Sequence, residues 1–433
     1  MPNTVLVLPG TSLVSIEILR SLAPLPGFRI HGAGTDVVAG SQLGFARYDF
    51  LPRVDDERLL PELLSLIERD RIDFVYPAND IFISALAGAQ LGRARVVSHP
   101  VETVRVASSK IATHSLFKEG GQVPPRITAA SPHVDFPLFS KPDVGHSSIG
   151  GMSLANSDDL ASLTARTDCF WANHLVTERL EGEEVTVDCF STREDGLLFF
   201  APRRRDATEN GVSVITSDYQ DRGELEDLAK SIGTKLEFNG PWFFQAKKDR
   251  WGSFRLMEIG ARLAGASGIR RAQGVNLAQL AILVAEAKPV QIYQTRFKFT
   301  LRTLRGVQVV SSDERFVALH VDLDDTLILD GQVNQQVVEL AQHVKSHGGS
   351  VDVITRHRAE PSTTLKRFGI DRFFDRVIHV TDGRSKAGHI DDKGNSILID
   401  DSFSERQSCG ERPDVLAVDA SSAPLLKGLF HDE

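Results

Sequence analysis

Short solid apolar runs and longer mixed ones alternate through the first hundred residues. Thr4–Leu8, Phe28–His31, Asp73–Pro77 and Ala94–Ser98 are β-prone and predict strands. Leu13–Leu22, with Ser12 as its cap, and stretches near Glu57–Arg69 and Ile81–Leu91 carry apolar positions at helical spacing. Strand–helix alternation of this kind predicts a parallel, doubly wound sheet. The Pro9–Ser12 turn lacks GxGxxG, so no dinucleotide site is expected there. Ligand contacts are expected instead along Tyr76–Asp80, beyond a strand's C-terminal end.

Further on, Phe136–Pro142 predicts a strand ending in a lysine and a proline, and is followed by the Gly/Ser-rich stretch Asp143–Gly151. A flexible loop of that composition after a strand-borne lysine can fold over phosphates and offer backbone N–H donors. Val185–Phe190 alternates as a strand, and Arg222–Ile232 reads as an amphipathic helix. Trp242–Phe244 and Phe254–Met257 flank the polar, Gly-ended Lys247–Gly252, which predicts a hairpin. Pairing would bring Gln245 and Glu258 side by side as oxygen ligands suited to Mg²⁺. Arg262 lies four residues beyond Glu258, where a guanidinium fork could hold a phosphate oxygen. Gly274–Ala287 reads as a closing helix.

Residues 294–315 form a polar, β-tending bridge ending in Ser311–Arg315, where a domain boundary is expected. Phe316–Val321 then runs into Asp322-Leu323-Asp324-Asp325-Thr326. Two carboxylates two residues apart beyond a strand can share a pocket, one attacking phosphorus and the other moving the proton. Val351–Thr355 predicts a strand ending in Thr355, Lys386 lies in a polar loop, and Ser396–Asp401 predicts a strand ending in Asp400-Asp401. The intervals between these points hold about one helix and one helix–strand unit, so no sizeable insertion is expected.

Composition narrows the function classes. The 433 residues are 41% hydrophobic and 25% charged, with a formal net charge of −9, which gives no electrostatic support for nucleic-acid binding. The three cysteines, Cys169, Cys189 and Cys409, form no CxxC pair, which argues against a zinc site or a disulfide framework. No apolar run is long enough to span a bilayer, and a cytoplasmic protein is expected.

The central stretch resembles the carbamoyl-phosphate-synthetase-like ligases of the ATP-grasp superfamily, whose metal end reads Gln or Asp, then Glu-x-Asn-x-Arg. Gln245, Glu258 and Arg262 match; Gly260 stands where the Asn should be. The resemblance implies that Lys110 and Lys141 hold nucleotide phosphates, with Ser147 and Ser148 in the covering loop. It implies Glu178 and the backbone of Leu180 on adenine, and Glu184 on ribose, with Glu183 as the alternative. Arg262 and the arginines Arg203 and Arg205 of the Arg203–Arg205 run would face the transferred phosphoryl group, and Gln245 and Glu258 would hold Mg²⁺ or Mn²⁺.

The C-terminal stretch resembles the haloacid-dehalogenase (HAD) superfamily, with DxDxT at Asp322–Thr326. That likeness implies Asp322 as nucleophile, Asp324 as general acid/base, and Thr355 and Lys386 on phosphate. Asp322, the Asp324 carbonyl, Asp400 and Asp401 would set the metal. The fold class expected is thus α/β and α+β multidomain: a Rossmann-like pre-ATP-grasp domain (1–105), an ATP-grasp domain (106–310) and a capless HAD-like Rossmannoid domain (315–433). The implied partners are ATP, a small carboxylate and an amine, and a phosphorylated small molecule at the second site. A homodimer is left open, as are a structural role for the C-terminal part and a nucleotide-binding module without turnover.

Overall fold

The structure is a computed structural model that describes residues 2–131, 134–145, 149–167, 169–220, 223–304, 306–391 and 393–430. The chain divides into two compact bodies, one of Met1–Val75, Gly92–Ala94 and Ala266–Glu433, the other of Tyr76–Leu91 and Arg95–Gly265.

In the first body Asn3–Leu8 pairs in parallel with Phe28–Gly34, which pairs in parallel with Arg47–Phe50. Asp73 donates its backbone N–H to the Thr4 carbonyl (2.9 Å) on the opposite side of the first strand. Val5–Leu8 are buried on both faces, as continuous apolar runs in parallel sheets are. Helix Leu13–Leu22 starts where the Ser12 hydroxyl accepts from Ser15 N–H at 3.1 Å. The turn after the first strand faces a tyrosine rather than open space. A Cβ on Gly32 would lie 2.6 Å from the Tyr48 ring, and Gly10 and Gly40 are equally close-packed against it. These glycines seat the Tyr48 ring at the strand ends.

A second parallel sheet in this body has the order Arg376–His379, Ser350–Thr355, Phe316–Val321, Asn395–Ile399, Val415–Val418. The strand that comes first in sequence is central, and the direction of winding reverses between it and Asn395–Ile399. That reversal is where open α/β sheets place ligands, beyond the C-terminal strand ends. Asp322 and Asp400 follow the two strands that flank it. Only the short hairpin Ile328–Leu329/Gln332–Val333 and helix Gln335–Ser346 separate the first and second strands, so no large insertion is present there.

The expected boundary at 311–315 is not where the chain divides. Thr300–Leu304 and Val307–Ser311 form an antiparallel hairpin, and Phe297, Phe299, Leu301 and Val310 share one buried core with Phe316, Leu319, Val351 and Ile397. Buried polar groups tie the segments of this body as well. Arg271 pairs with Glu17 (2.9 Å) and donates to the Ser421 carbonyl, and Asn276 donates to the Ser21 carbonyl (2.8 Å) and Asp419 (3.2 Å). Residues 315–430 thus share a core with the segment from Ala266 onward, and the polar network ties 1–75 to it.

The second body is built on two antiparallel sheets. One runs Gly196–Arg204, Glu184–Thr192, Gly240–Lys248, Phe254–Gly260; the other runs Arg126–Ile127, His174–Glu178, Leu138–Pro142, Met152–Leu154. Trp242, buried and stacked on Phe238 at 4.1 Å, anchors the first sheet and donates its indole N–H to Ser191 (2.9 Å). Helix Asp80–Leu86 begins where the Asn79 side chain accepts from Phe82 N–H. Among the described residues no helix is long and apolar enough to cross a membrane.

Candidate active sites

The hairpin Gly240–Lys248/Phe254–Gly260 forms because its turn is satisfied locally. Asp249 accepts from the backbone N–H groups of Trp251 (2.9 Å) and Ser253 (3.0 Å), and Gly252 takes the left-handed conformation. The register sets Gln245 directly opposite Glu258, with an irregularity between Gln245 and Ala246. Both side chains open on a cavity of about 360 Å³ in the second body, within the range of small-molecule sites.

Lys110, Lys141, Glu178, Leu180, Glu184, Arg205, Gln245 and Glu258 all line this cavity. Lys141 donates to the Met257 carbonyl at 2.8 Å, beside Glu258. Burial pushes its pKa down to about 8, against the pull of Glu258 and with a further push from Lys110. Lys110 donates to the Gly145 carbonyl (3.0 Å), at the start of the Gly/Ser stretch. Ser147 and Ser148 lie outside the described residues. Glu184 pairs with Arg205 (2.7 Å) and Lys247 (3.6 Å) inside the cavity, whereas Glu183 pairs with Arg204 and Lys248 and does not line it. Between the two glutamates left open by the sequence, the geometry favours Glu184.

Two expected arginines are placed otherwise. Arg203 is buried in an ion pair with Asp188 (2.9 Å) and a hydrogen bond to Thr216 (3.2 Å), so its guanidinium cannot meet a ligand in the cavity. Arg205, just beyond the end of strand Gly196–Arg204, reaches the cavity, and Arg203 is committed to the sheet's buried polar contacts. Arg262 does not line the cavity either. It forms a two-pronged ion pair with Asp80 (2.8 and 3.0 Å) and lies over the Phe243 ring at 5.1 Å. Gly260 is the reason Phe243 fits: a Cβ there would overlap the ring. Lys247 was not singled out in the sequence; its signal was the two-residue offset from Gln245, which puts both on one strand face.

The first body carries a second polar centre at the reversal point of its C-terminal sheet. The Lys386 ammonium lies 2.6 Å from both Asp322 and Asp400. Carboxylate oxygens of Asp322, Asp400 and Asp401 come within 4.8 Å of one another. Burial, and then the neighbouring Asp400, push Asp322 up to about 7 despite Lys386. Burial opposes the charge on Lys386, but Asp322 and Asp400 hold its pKa above the usual lysine value. Three hard oxygen donors against one ammonium make a set that a divalent cation would relieve. Thr355 is fully buried and its hydroxyl accepts from His357 N–H (3.1 Å). Asp324 is half-exposed and contacts the His357 Nδ1 at 2.9 Å, and His357 Nε2 lies 3.0 Å from the Thr364 hydroxyl. His357 links two expected site residues, and nothing in its sequence context flagged it.

A family model described as "ATP-grasp in the biosynthetic pathway with Ter operon" matches residues 171–307. No curated protein sequence matches the chain. Among solved structures, the biotin carboxylase domain of Hydrogenobacter thermophilus 2-oxoglutarate carboxylase, in complex with MgADP, ADP and bicarbonate, is similar with a TM-score of 0.58 and 10% identity over 70% of this chain and 74% of that one. Staphylococcus aureus N5-carboxyaminoimidazole synthetase complexed with ADP gives 0.56 and 14% over 71% and 83%. The L-amino acid ligase of Bacillus licheniformis gives 0.53 and 18% over 73% and 82%. At these identities the likeness is one of fold. Together with the family match within residues 171–307, it supports an ATP-grasp fold in this chain.

Proposed function

We propose that the protein is an ATP-dependent carboxylate–amine ligase acting through an acyl phosphate, and that its C-terminal part is a phosphatase. The observation that carries the ligase reading is the convergence of Lys141, Glu178, Glu184, Gln245 and Glu258, from separate strands, on one cavity. A carboxylate does not acylate an amine in neutral water because oxide is a poor leaving group. Transfer of the γ-phosphoryl group to the carboxylate creates a leaving group that the amine displaces as phosphate. The protein's part is positioning and charge neutralisation. Lys110 and Lys141 hold the phosphates, Glu178 and the Leu180 backbone hold adenine, and Glu184 meets the ribose. Arg205 is the one member of the Arg203–Arg205 run placed to stabilise charge at the transferring group. Arg262 acts through its pair with Asp80, as part of the wall behind Glu258.

In the C-terminal site Asp322 attacks the phosphorus of a phosphate monoester, the ester oxygen leaves with a proton from Asp324, and Asp324 then deprotonates the water that hydrolyses the aspartyl phosphate. Lys386 and Thr355 hold phosphate oxygens. Glu258 and Gln245 in the cavity, and Asp322, Asp400 and Asp401 in the C-terminal site, would hold Mg²⁺, which would supply charge neutralisation in both. The close contact of Lys386 with two carboxylates supports a working centre over a purely structural appendage. Calorimetry with Mg-ATP tests the ligase reading. Binding is expected in wild type and at least tenfold weaker in Lys141→Met, and no measurable Mg-ATP binding by wild type would refute it.

A further inference from the structure

We infer that the ATP-grasp cavity takes one divalent cation with its nucleotide, not two, and that fixed side-chain cations do the remaining neutralisation. This inference rests on the ligase reading above. In the Glu-x-Asn-x-Arg pattern that this stretch resembles, the Asn would bring an oxygen for a second ion two residues beyond Glu258, and Gly260 stands there with no room for a side chain. A Cβ at 260 would overlap the Phe243 ring. The ring cannot simply turn aside, because the Arg262 guanidinium lies over it at 5.1 Å and is itself held by both oxygens of Asp80 at 2.8 and 3.0 Å. Asp80, Arg262, Phe243 and Gly260 thus form one interlocked column behind the metal end of the cavity.

The remaining donors fit a single ion. Glu258 and Gln245 face each other in register and both line the cavity. Of the other acidic residues nearby, Glu184 is engaged by Arg205 and Lys247 and Asp80 by Arg262, and Glu178 is the group assigned to adenine. One carboxylate and one amide oxygen are a first shell for one hard cation, completed by phosphate and water. Charge points the same way. Among the described residues, the cavity is lined by Lys110, Lys141, Arg179, Arg205 and Lys247, against three glutamates. That cationic excess takes over the neutralisation a second ion would provide.

The test is a Mn²⁺ titration of the full-length Asp322→Asn/Asp400→Asn variant, which silences the C-terminal carboxylate cluster. Free Mn²⁺ is followed by electron paramagnetic resonance in the presence of a non-hydrolysable ATP analogue, and bound nucleotide is measured in parallel. One Mn²⁺ per bound nucleotide is expected. Two per nucleotide would overturn the single-cation inference while leaving the ligase reading intact. No bound nucleotide would overturn the ligase reading and this inference with it. A second variant probes the column: Gly260→Ala is expected to lower the melting temperature, and Phe243→Leu added to it to restore part of the loss. A Gly260→Ala protein with unchanged melting temperature would show that the position has room and that the steric ground is wrong.

Discussion

Lys141 shows how one residue links the fold to its ligand. Burial holds its pKa at about 8, below the 10.5 of an ordinary lysine. Between those values the unfolded chain keeps a proton that the folded chain has released, so stability rises with pH across that window and the burial cost is felt in full below it. A phosphate next to the ammonium favours the charged form. Nucleotide binding near pH 8 is therefore expected to take up a proton, and affinity to fall as pH rises through 8. Calorimetry in buffers of differing ionisation enthalpy reads the uptake directly; Lys141→Met should abolish it and lower turnover by about 10²–10³. A wild-type protein with buffer-independent enthalpies would contradict the role given to Lys141. At the other site, burial and then Asp400 oppose the charge on Asp322 and push its pKa up to about 7. Adding Mg²⁺ is expected to raise the melting temperature, by linkage to the native state, and Asp322→Asn to raise it in chelator while removing most of the Mg²⁺ effect. A melting temperature indifferent to Mg²⁺ would argue against a cation there. His357, hydrogen-bonded to Asp324, is expected to matter for leaving groups that need a proton. His357→Ala should slow alkyl phosphate hydrolysis about tenfold or more with little effect on dinitrophenyl phosphate. Equal losses on both esters would assign His357 a structural role only.

At the scale of the element, pattern and turn chemistry carried most of the fold. Helix Leu13–Leu22 stands at the residues its spacing indicated, because cap, apolar stripe and length agree. The hairpin was legible because Asp249 and Gly252 close its turn and the strands are β-prone, and its register then followed. What was not legible was which partner a buried side chain takes. Arg203 and Arg205 look alike in sequence, and only the packing of Asp188 separates them. Arg262 was read as a ligand because its partner Asp80 is far away in sequence. Short elements without a strong stripe, such as Val37–Ser41 and Arg47–Phe50, also went unread. The seat of Tyr48 could not be foreseen for the same reason: Gly10, Gly32 and Gly40 meet its ring only in three dimensions. Gly32→Ala is expected to cost about 1–3 kcal/mol by overpacking, read as a lower denaturation midpoint. An unchanged midpoint would mean that the ring moves freely.

At the scale of the whole molecule, each candidate centre is complete within one compact body. The cavity residues belong to Tyr76–Leu91 and Arg95–Gly265, and the carboxylate cluster to the other body. Glu258→Gln should therefore silence ADP formation and spare phosphate ester hydrolysis, and Asp322→Asn the reverse. The hairpin before 311–315 shares the core after it, and Arg271 and Asn276 are bonded to Ser421 and Asp419. Cutting there would strand buried polar groups, so the separation of activities is best tested in the full chain. The most direct test of the central claim is trapping of the activated carboxylate. Full-length protein is incubated with Mg-ATP, a panel of small carboxylates and hydroxylamine, and both nucleotide product and hydroxamate are measured. Equal amounts of ADP and hydroxamate with at least one carboxylate, both lost in Glu258→Gln, are the predicted result; AMP in place of ADP, or no carboxylate-dependent product across the panel, would contradict it.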